Sequence, residues 1–490
     1  MKRSSGILLH ISSLPGPGGI GSLGKEAFQF ADFLQESGCR VWQVLPMGPT
    51  GYGESPYQSS SVFAGNPLLI SLETLRQQGL LACTEEELQS GFDDAVIDFP
   101  MVRKVHERLL FQSFEQSEKN LQNELEQFVS EQPWVEDFAL FTALKHEFND
   151  VMWSQWPDED VRRRKKSALK KWRKQLDVQV RFHIFCQYLF EVQWQNLHRY
   201  CHEKGIELFG DMPIYVAEDS ADTWTHPEVF QLDKKLLPKR VAGVPPDYFS
   251  ADGQLWGNPL YDWKYLQKHH FDWWLDRMHR MSELYDIIRI DHFIGFANYY
   301  SIPYGAPNAR EGEWIKAPGK KFFKTLKKSD IPVQIIAEDL GCVNKRVRRL
   351  IDYTGYPGMR VLVFGFTEGE ANVHALSNWV ENSVAYTGTH DNDTVLGYLK
   401  RAEKTEVDMA KEQLGFKELE DGPAAFVKAT FDSVSRLCVI PMQDILGLDN
   451  SARMNTPSTI GGNWGWRMKE LPDASIAERL LQLNKESERG

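Results

Sequence analysis

The sequence predicts an α/β protein built on a (β/α)8 barrel with large insertions, and three observations point there. Eight short apolar, β-rich runs recur along the chain, most of them followed by a helix-like stretch, which is the rhythm of such barrels. Several of the runs end in carboxylates, and the C-terminal strand ends of a barrel carry its active site. The 490 residues exceed by far the roughly 250 that a bare barrel needs, so about half of the chain lies in insertions.

The first run, 6–11 (GILLHI), precedes a helical pattern over 25–37. The second is 41–45 (VWQVL), and the longest gap follows it. From about 72 to 200 the pattern is helical, as in 102–114, 120–129 and 182–200, where charges fall between apolar positions. This predicts a mostly helical insertion between strands two and three. Its basic run 162–171 (RRRKKSALKK) reads as a solvated helix face. The third run is 206–210 (IELFG), followed by a second insertion over 215–274 that is rich in Pro, Gly and aromatic residues. Irregular stretches of that length usually carry function. Runs four to eight are 286–290 (DIIRI), 333–337 (VQIIA), 360–364 (RVLVF), 384–387 (VAYT) and 437–440 (LCVI); a helical pattern over 344–351 follows the fifth. All of this makes one catalytic barrel spanning the chain.

Composition narrows the function. The net charge of −12 argues against nucleic acid as a partner, since such binders carry a basic footprint. No apolar run approaches the roughly 18 residues of a membrane helix, and the start, MKRSSGILLHISSLPGPGG, lacks the apolar core of a signal peptide. Cys39, Cys83, Cys186, Cys201, Cys342 and Cys438 are scattered with no CxxC pair. They read as reduced thiols of a cytoplasmic protein, not as a disulfide or zinc framework. The glycines at 16, 18, 19 and 21 do not make a dinucleotide fingerprint, and no GxSxG elbow is present. Aromatic residues make up 12% of the chain. Most pack the core; those in loops beside Gly, Pro and Asp suit the apolar faces of sugars.

The strand ends carry the chemistry. Run three leads into Gly210-Asp211, run four into Asp291-His292, run five into Glu338-Asp339, and run seven into His390-Asp391-Asn392-Asp393. Side chains alternate along a strand, so Arg289 and Asp291 share a face while His292 takes the other. A guanidinium beside Asp291 favours its ionised form, as a glycosyl nucleophile requires; a structural ion pair explains the same pattern. Glu338 emerges from an apolar wall, which favours its protonated form. Two carboxyl groups under opposite pressure are what acid/base glycoside chemistry needs, and a retaining pair stands about 5–5.5 Å apart. Asp391 supplies a third carboxylate, suited to ring hydroxyls. DND at 391–393 resembles a fragment of a calcium loop but lacks the Gly and Glu of one, so no metal is expected there. His292 and His390 read equally as packed histidines or as sugar contacts.

The segments SSLPGPGGIGSLG, GYGESPYQ, GDMPIYVAEDSADTW, AGVPPDYFSADGQLWGNPLYDW, RIDHFIGF, AEDLG, YTGTHDNDT and RMNTPSTIGGNWGWR resemble, in order, those of glycoside hydrolase family 77, the 4-α-glucanotransferases. The resemblance runs from about residue 6 to 467. It implies an α-amylase-type barrel, a retaining mechanism and α-1,4-glucans and maltooligosaccharides as partners, with no cofactor. It implies Asp291 as nucleophile, Glu338 as general acid/base and Asp391 as transition-state stabiliser. Arg289 would brace the nucleophile, and His390, Tyr57 and Asp211 would lie at the donor sugar. Tyr248, Phe249, Gln254 and Trp256 would cover the acceptor groove. His292 joins this set of substrate-binding residues through its place beside the nucleophile. Tyr52 is the one candidate for an additional glucan site. The sequence specifies no oligomeric state.

The barrel and its carboxylates alone do not separate a transferase from an α-1,4-glucan hydrolase. A non-catalytic glucan-binding relative would have lost a carboxylate, and none is lost. The stretch 244–263 carries Tyr248, Phe249, Trp256, Tyr261 and Trp263 and is expected to form a lid that excludes water and stacks the acceptor. Gly243, Gly253, Gly257 and the Pro245-Pro246 pair would serve as hinges, although packing anchors or a rigid wall fit the same residues.

Overall fold

The computed structural model describes residues 2–89, 91–246, 251–341, 343–367 and 372–490. The strands among them are β1 (Ser4–Leu8), β2 (Val41–Gln43), β3 (Glu207–Pro213), β4 (Arg240–Val244), β5 (Gln254–Pro259), β6 (Ile287–Asp291), β7 (Asn298–Pro303), β8 (Glu313–Lys316), β9 (Gln334–Ala337), β10 (Gly358–Val361), β11 (Ser383–Tyr386) and β12 (Leu437–Pro441). Eight of them form one parallel sheet in the order β10-β11-β12-β1-β2-β3-β6-β9. The seam closes where the Ala337 N–H donates to the Pro357 carbonyl at 2.9 Å. The result is a (β/α)8 barrel, and each of its strands falls on one of the eight apolar runs, with ends shifted by a few residues.

The runs are strands because both of their faces are buried. Ile288, Ile290, Ile336, Ala337, Val439 and Ile440 have no exposed surface, so the sequence shows continuous apolar runs instead of alternation. The sixth run is shorter than its hydrophobicity suggests. Leu362–Phe364 turns into a 3-10 helix, since strand pairing ends at Val361 opposite Tyr386. Helices Lys25–Glu36 and Lys345–Thr354 follow β1 and β9. The second is capped by the Asn344 side chain, which accepts from the Arg346 and Val347 N–H groups.

Between β2 and β3 the chain is helical, including Phe99–Ser117, Gln122–Glu131, Val135–Glu147 and Asp177–Glu203. The last of these lies against the barrel. Its Gln187 pairs with both backbone groups of Gly65 (2.8 and 2.9 Å), and its Gln193 with both of Ser71 (2.7 and 3.2 Å). Two amide side chains thus imitate strand pairing and fix the segment after β2, which carries Tyr57. The basic run is only partly a solvated face. Arg164, in the left-handed region (φ 53°), lays its guanidinium 4.4 Å from the Trp224 ring centre and pairs with Asp137 at 2.6 Å.

The second insertion differs from the expected lid. β4 and β5 pair antiparallel and, with β7 and β8, form a four-stranded sheet in the order β5-β4-β7-β8. Two of the three glycines expected as hinges are locked: a Cβ on Gly243 would stand 2.2 Å from the Gln254 carbonyl oxygen, and one on Gly253 2.5 Å from that of Val244, whereas Gly257 has open space around it. Close backbone approach, not swivelling, is what glycine provides at the first two. This half of the insertion is a wall. Tyr248 and Phe249 lie outside the described residues, as does the side chain of Tyr52. Among the described residues no helix is long and apolar enough to cross a membrane.

Candidate active site

Parallel pairing sets the carboxylates side by side. Asp211 on β3 stands opposite Arg289 on β6, and Ile290 stands opposite Ala337 on β9. One step further along, Asp291 and Glu338 emerge from neighbouring strands at the same rim.

Arg289 lies between two carboxyl groups. Its Nε donates to Asp211 Oδ2 at 3.1 Å, and both terminal nitrogens donate to Asp291 Oδ1 at 2.8 and 3.0 Å. Burial opposes its charge, but the two aspartates outweigh burial and hold its pKa well above the ordinary value. Breaking a buried charge pair of this kind costs about 3–5 kcal/mol, so the guanidinium stays where it is. Asp291 keeps one oxygen without a hydrogen bond among the described residues, and its side chain is 30% exposed. One oxygen is held, and the other faces the mouth.

Glu338 sits in the opposite environment. It is buried, and its carboxyl accepts the His292 N–H at 2.7 Å and the Leu340 N–H at 2.6 Å. Those bonds favour the anion, as does Arg289. Desolvation and the neighbouring Asp291 outweigh them and push the pKa up to about 8. Asp339, next in sequence, turns toward β10, where it accepts the Met359 N–H at 2.7 Å. Only the first acid of the pair faces the rim.

His292 departs from strand alternation. β6 ends at Asp291, and His292 takes a left-handed conformation with φ 51°, which few non-glycine residues adopt. The bend delivers its N–H to Glu338 and sets its ring edge-on to Trp256 at 4.9 Å. Burial lowers the imidazole to about 4, against the pull of Asp291. The ring is therefore neutral at pH 7, and its buried Nε2 has no hydrogen-bond partner among the described residues. Trp256 itself is tied by its indole N–H to Gln254 Oε1 at 3.0 Å, so both of these β5 side chains belong to one wall beside His292.

The far side is built from rings. Tyr57 stacks on His390, with centroids 5.1 Å apart and planes 14° apart, and Trp464 leans on both. Asp391 beside them has a side chain that is 44% exposed. Its Oδ1 accepts from Asn455 Nδ2 at 2.7 Å, and its carbonyl from Arg453 at 2.7 Å. Asn392 Oδ1 accepts from Thr389, and Asp393 pairs with Arg401 and Arg453. The DND sequence is thus a turn pinned by protein partners. Asp211 stands behind the mouth rather than in it: its side chain has no exposed surface, and it accepts the Tyr57 hydroxyl at 2.8 Å. It reaches the site through Tyr57 and Arg289, because β3 aims it at the guanidinium across the ladder.

The sequence pattern of the glycoside hydrolase 77 family, described as 4-alpha-glucanotransferase, matches residues 9–473. The chain belongs to this family. Family members of similar length include the 4-alpha-glucanotransferase of Streptococcus pneumoniae serotype 4, which is 45% identical over 98% of this chain and 96% of its own. That of Thermus thermophilus is 45% identical over 96% and 95%. An amylomaltase from Streptococcus agalactiae, solved in complex with acarbose, superposes with a TM-score of 0.96 at 38% identity over the whole of both chains. Within this glycoside hydrolase 77 chain, Arg453, Asn455 and Trp464 are site residues that pattern reading did not single out. They lie on the segment RMNTPSTIGGNWGWR; the signal was the segment as a whole, with nothing in it to say that it folds back onto Asp391.

Proposed function

We infer that the chain moves an α-1,4-glucan segment from a donor to the 4-hydroxyl of an acceptor glucan or glucose, by double displacement. The family match supports transfer over hydrolysis, and the observation that carries the mechanism is the contrast between two neighbouring carboxyl groups. Arg289 clamps Asp291, while buried Glu338 holds its proton up to about pH 8. The unheld oxygen of Asp291 attacks the anomeric carbon as Glu338 protonates the glycosidic oxygen. The C1–O bond breaks, the shortened glucan leaves, and a β-linked glucosyl-enzyme remains. Glu338, now a carboxylate, takes the proton of the acceptor's 4-hydroxyl, whose oxygen displaces Asp291. Two inversions give net retention.

Asp391 and the neutral His292 are assigned to sugar hydroxyls. Tyr57 and His390 serve as a stacking platform for the donor sugar. Gln254 and Trp256 line the acceptor side. The acceptor competes with water by alignment rather than concentration, and a fixed aromatic wall suits that. The scattered thiols support a cytoplasmic protein.

Incubation with maltotriose tests the reading. Transfer yields glucose together with a ladder of longer chains, whereas a hydrolase yields only shorter products, and the second outcome would overturn the assignment. The proton on Glu338 adds a pH dependence. Its pKa is raised, so the acid form needed for the first step is lost as pH climbs through about 8. Above that value kcat/KM should fall about tenfold per pH unit, read from initial rates between about pH 6 and 10. A rate that stays flat through this range assigns the proton to another group.

A further inference from the structure

We propose that His198, His202 and Asp286 form a binding site for one divalent transition-metal ion of the zinc type at the floor of the barrel, opposite the glucan site. Among the described residues they are the group of three His, Cys, Asp or Glu side chains whose ligand atoms all lie within 4.8 Å of one another.

The two histidines stand four residues apart on the helix Asp177–Glu203, one above the other on a single face, the spacing by which helical histidine pairs grip zinc. Asp286 immediately precedes β6. His198 Nε2 lies 3.2 Å from Asp286 Oδ2, and His202 Nε2 lies 2.8 Å from Oδ1. Two ligands each about 2.0–2.1 Å from a tetrahedral ion stand about 3.3 Å apart, so His198 and Asp286 already have that separation. His202 faces the other carboxylate oxygen and must shift toward Oδ2 to share the ion. It can do so: it sits in the last turn of its helix with 51% of its side chain exposed. Two nitrogens and one oxygen suit zinc, cobalt or nickel rather than calcium or magnesium, and the open side at His202 leaves a fourth position for water.

The carboxylate is held in place. Asp286 Oδ2 accepts the Leu208 N–H at 2.8 Å, its own N–H donates to the Leu208 carbonyl at 3.0 Å, and its carbonyl accepts the Gln334 N–H at 2.9 Å. A backbone donor on a ligating carboxylate is the outer-shell support that metal sites use. An ion would take the Nε2 lone pair of each imidazole, so in the loaded site each neutral ring carries its one proton on Nδ1. Asp286 and Asp291 lie at opposite ends of β6, about 16 Å apart along the strand. The ion therefore touches no sugar. It ties the last helix of the insertion to the barrel floor.

The test is calorimetric titration of the full chain, stripped with EDTA, with zinc chloride. Alongside it, the cobalt-loaded protein is read by visible absorption, and its unfolding midpoint is measured with and without zinc. One equivalent of zinc should bind and raise the midpoint; calcium and magnesium should do neither. His198→Gln and His202→Gln should each weaken binding at least about tenfold, and the double variant should abolish it. Absence of binding up to about 1 mM zinc overturns the proposal and leaves only a hydrogen-bonded His–Asp cluster. Undiminished binding by the double variant overturns it as well. If the variants fail to fold, the cobalt spectrum of the unaltered protein decides: nitrogen and oxygen ligation supports the site, and a thiolate charge-transfer band refutes it.

Discussion

Asp291→Asn should reduce transfer by about 10⁴-fold or more in kcat, with any donor, because an amide cannot form the glycosyl ester on which both half-reactions depend. The fold should be unaffected. Asp211 keeps Arg289 in place from the other side, the substituted side chain is isosteric, and it lies at a rim rather than in the core. The amide oxygen can still accept from Arg289, so the unfolding midpoint should fall by less than outright loss of the pair would cause. Full turnover by Asp291→Asn would remove the nucleophile from Asp291 and, with it, the role of the guanidinium clamp.

Glu338→Gln should lower kcat for maltooligosaccharides by about 10²–10⁴-fold, the usual contribution of a positioned acid. The loss should depend on the leaving group, which separates this residue from Asp291. With α-glucosyl fluoride as donor the departing fluoride needs no proton, so formation of the glucosyl-enzyme should be largely restored. Its breakdown onto an acceptor hydroxyl should remain slow, since no base is present. Accumulation of a covalent glucosyl adduct, visible as a hexose mass increase on the intact chain, is the expected signature. Equal loss with fluoride and with maltotriose would mean that Glu338 is not the proton donor. The variant should also lose the alkaline decline near pH 8, because the group responsible for it is gone.

The eight barrel strands were legible because burial on both faces writes a continuous apolar run, and that signal is local. Asp291 and Glu338 were legible because a strand end is local too, and in a parallel barrel every C-terminal strand end reaches the same rim. The small sheet β5-β4-β7-β8 escaped. Its strands are short and lie in Pro- and Gly-punctuated segments, so the stretch 244–263 read as a lid loop with glycine hinges, with a rigid wall left open. The conformation of His292 also escaped. Alternation puts its ring on the other face from Asp291, but the left-handed bend after β6 makes its N–H, not its ring, the group that reaches Glu338.

What the order of residues settles here is which groups arrive at the barrel mouth: apolar runs set the staves, and the residue after each run inherits the rim. Which groups touch one another was settled by packing. Tyr57 reaches Asp211 across 154 positions, Asn455 reaches Asp391 across 64, and His292 reaches Glu338 across 46. Separations of that size leave no periodic trace, because loops of any composition can span them once the barrel has closed. The proton on Glu338 belongs to the same category. Its raised pKa comes from desolvation by its whole surroundings and from a carboxylate on the neighbouring strand, and both exist only after those strands have paired.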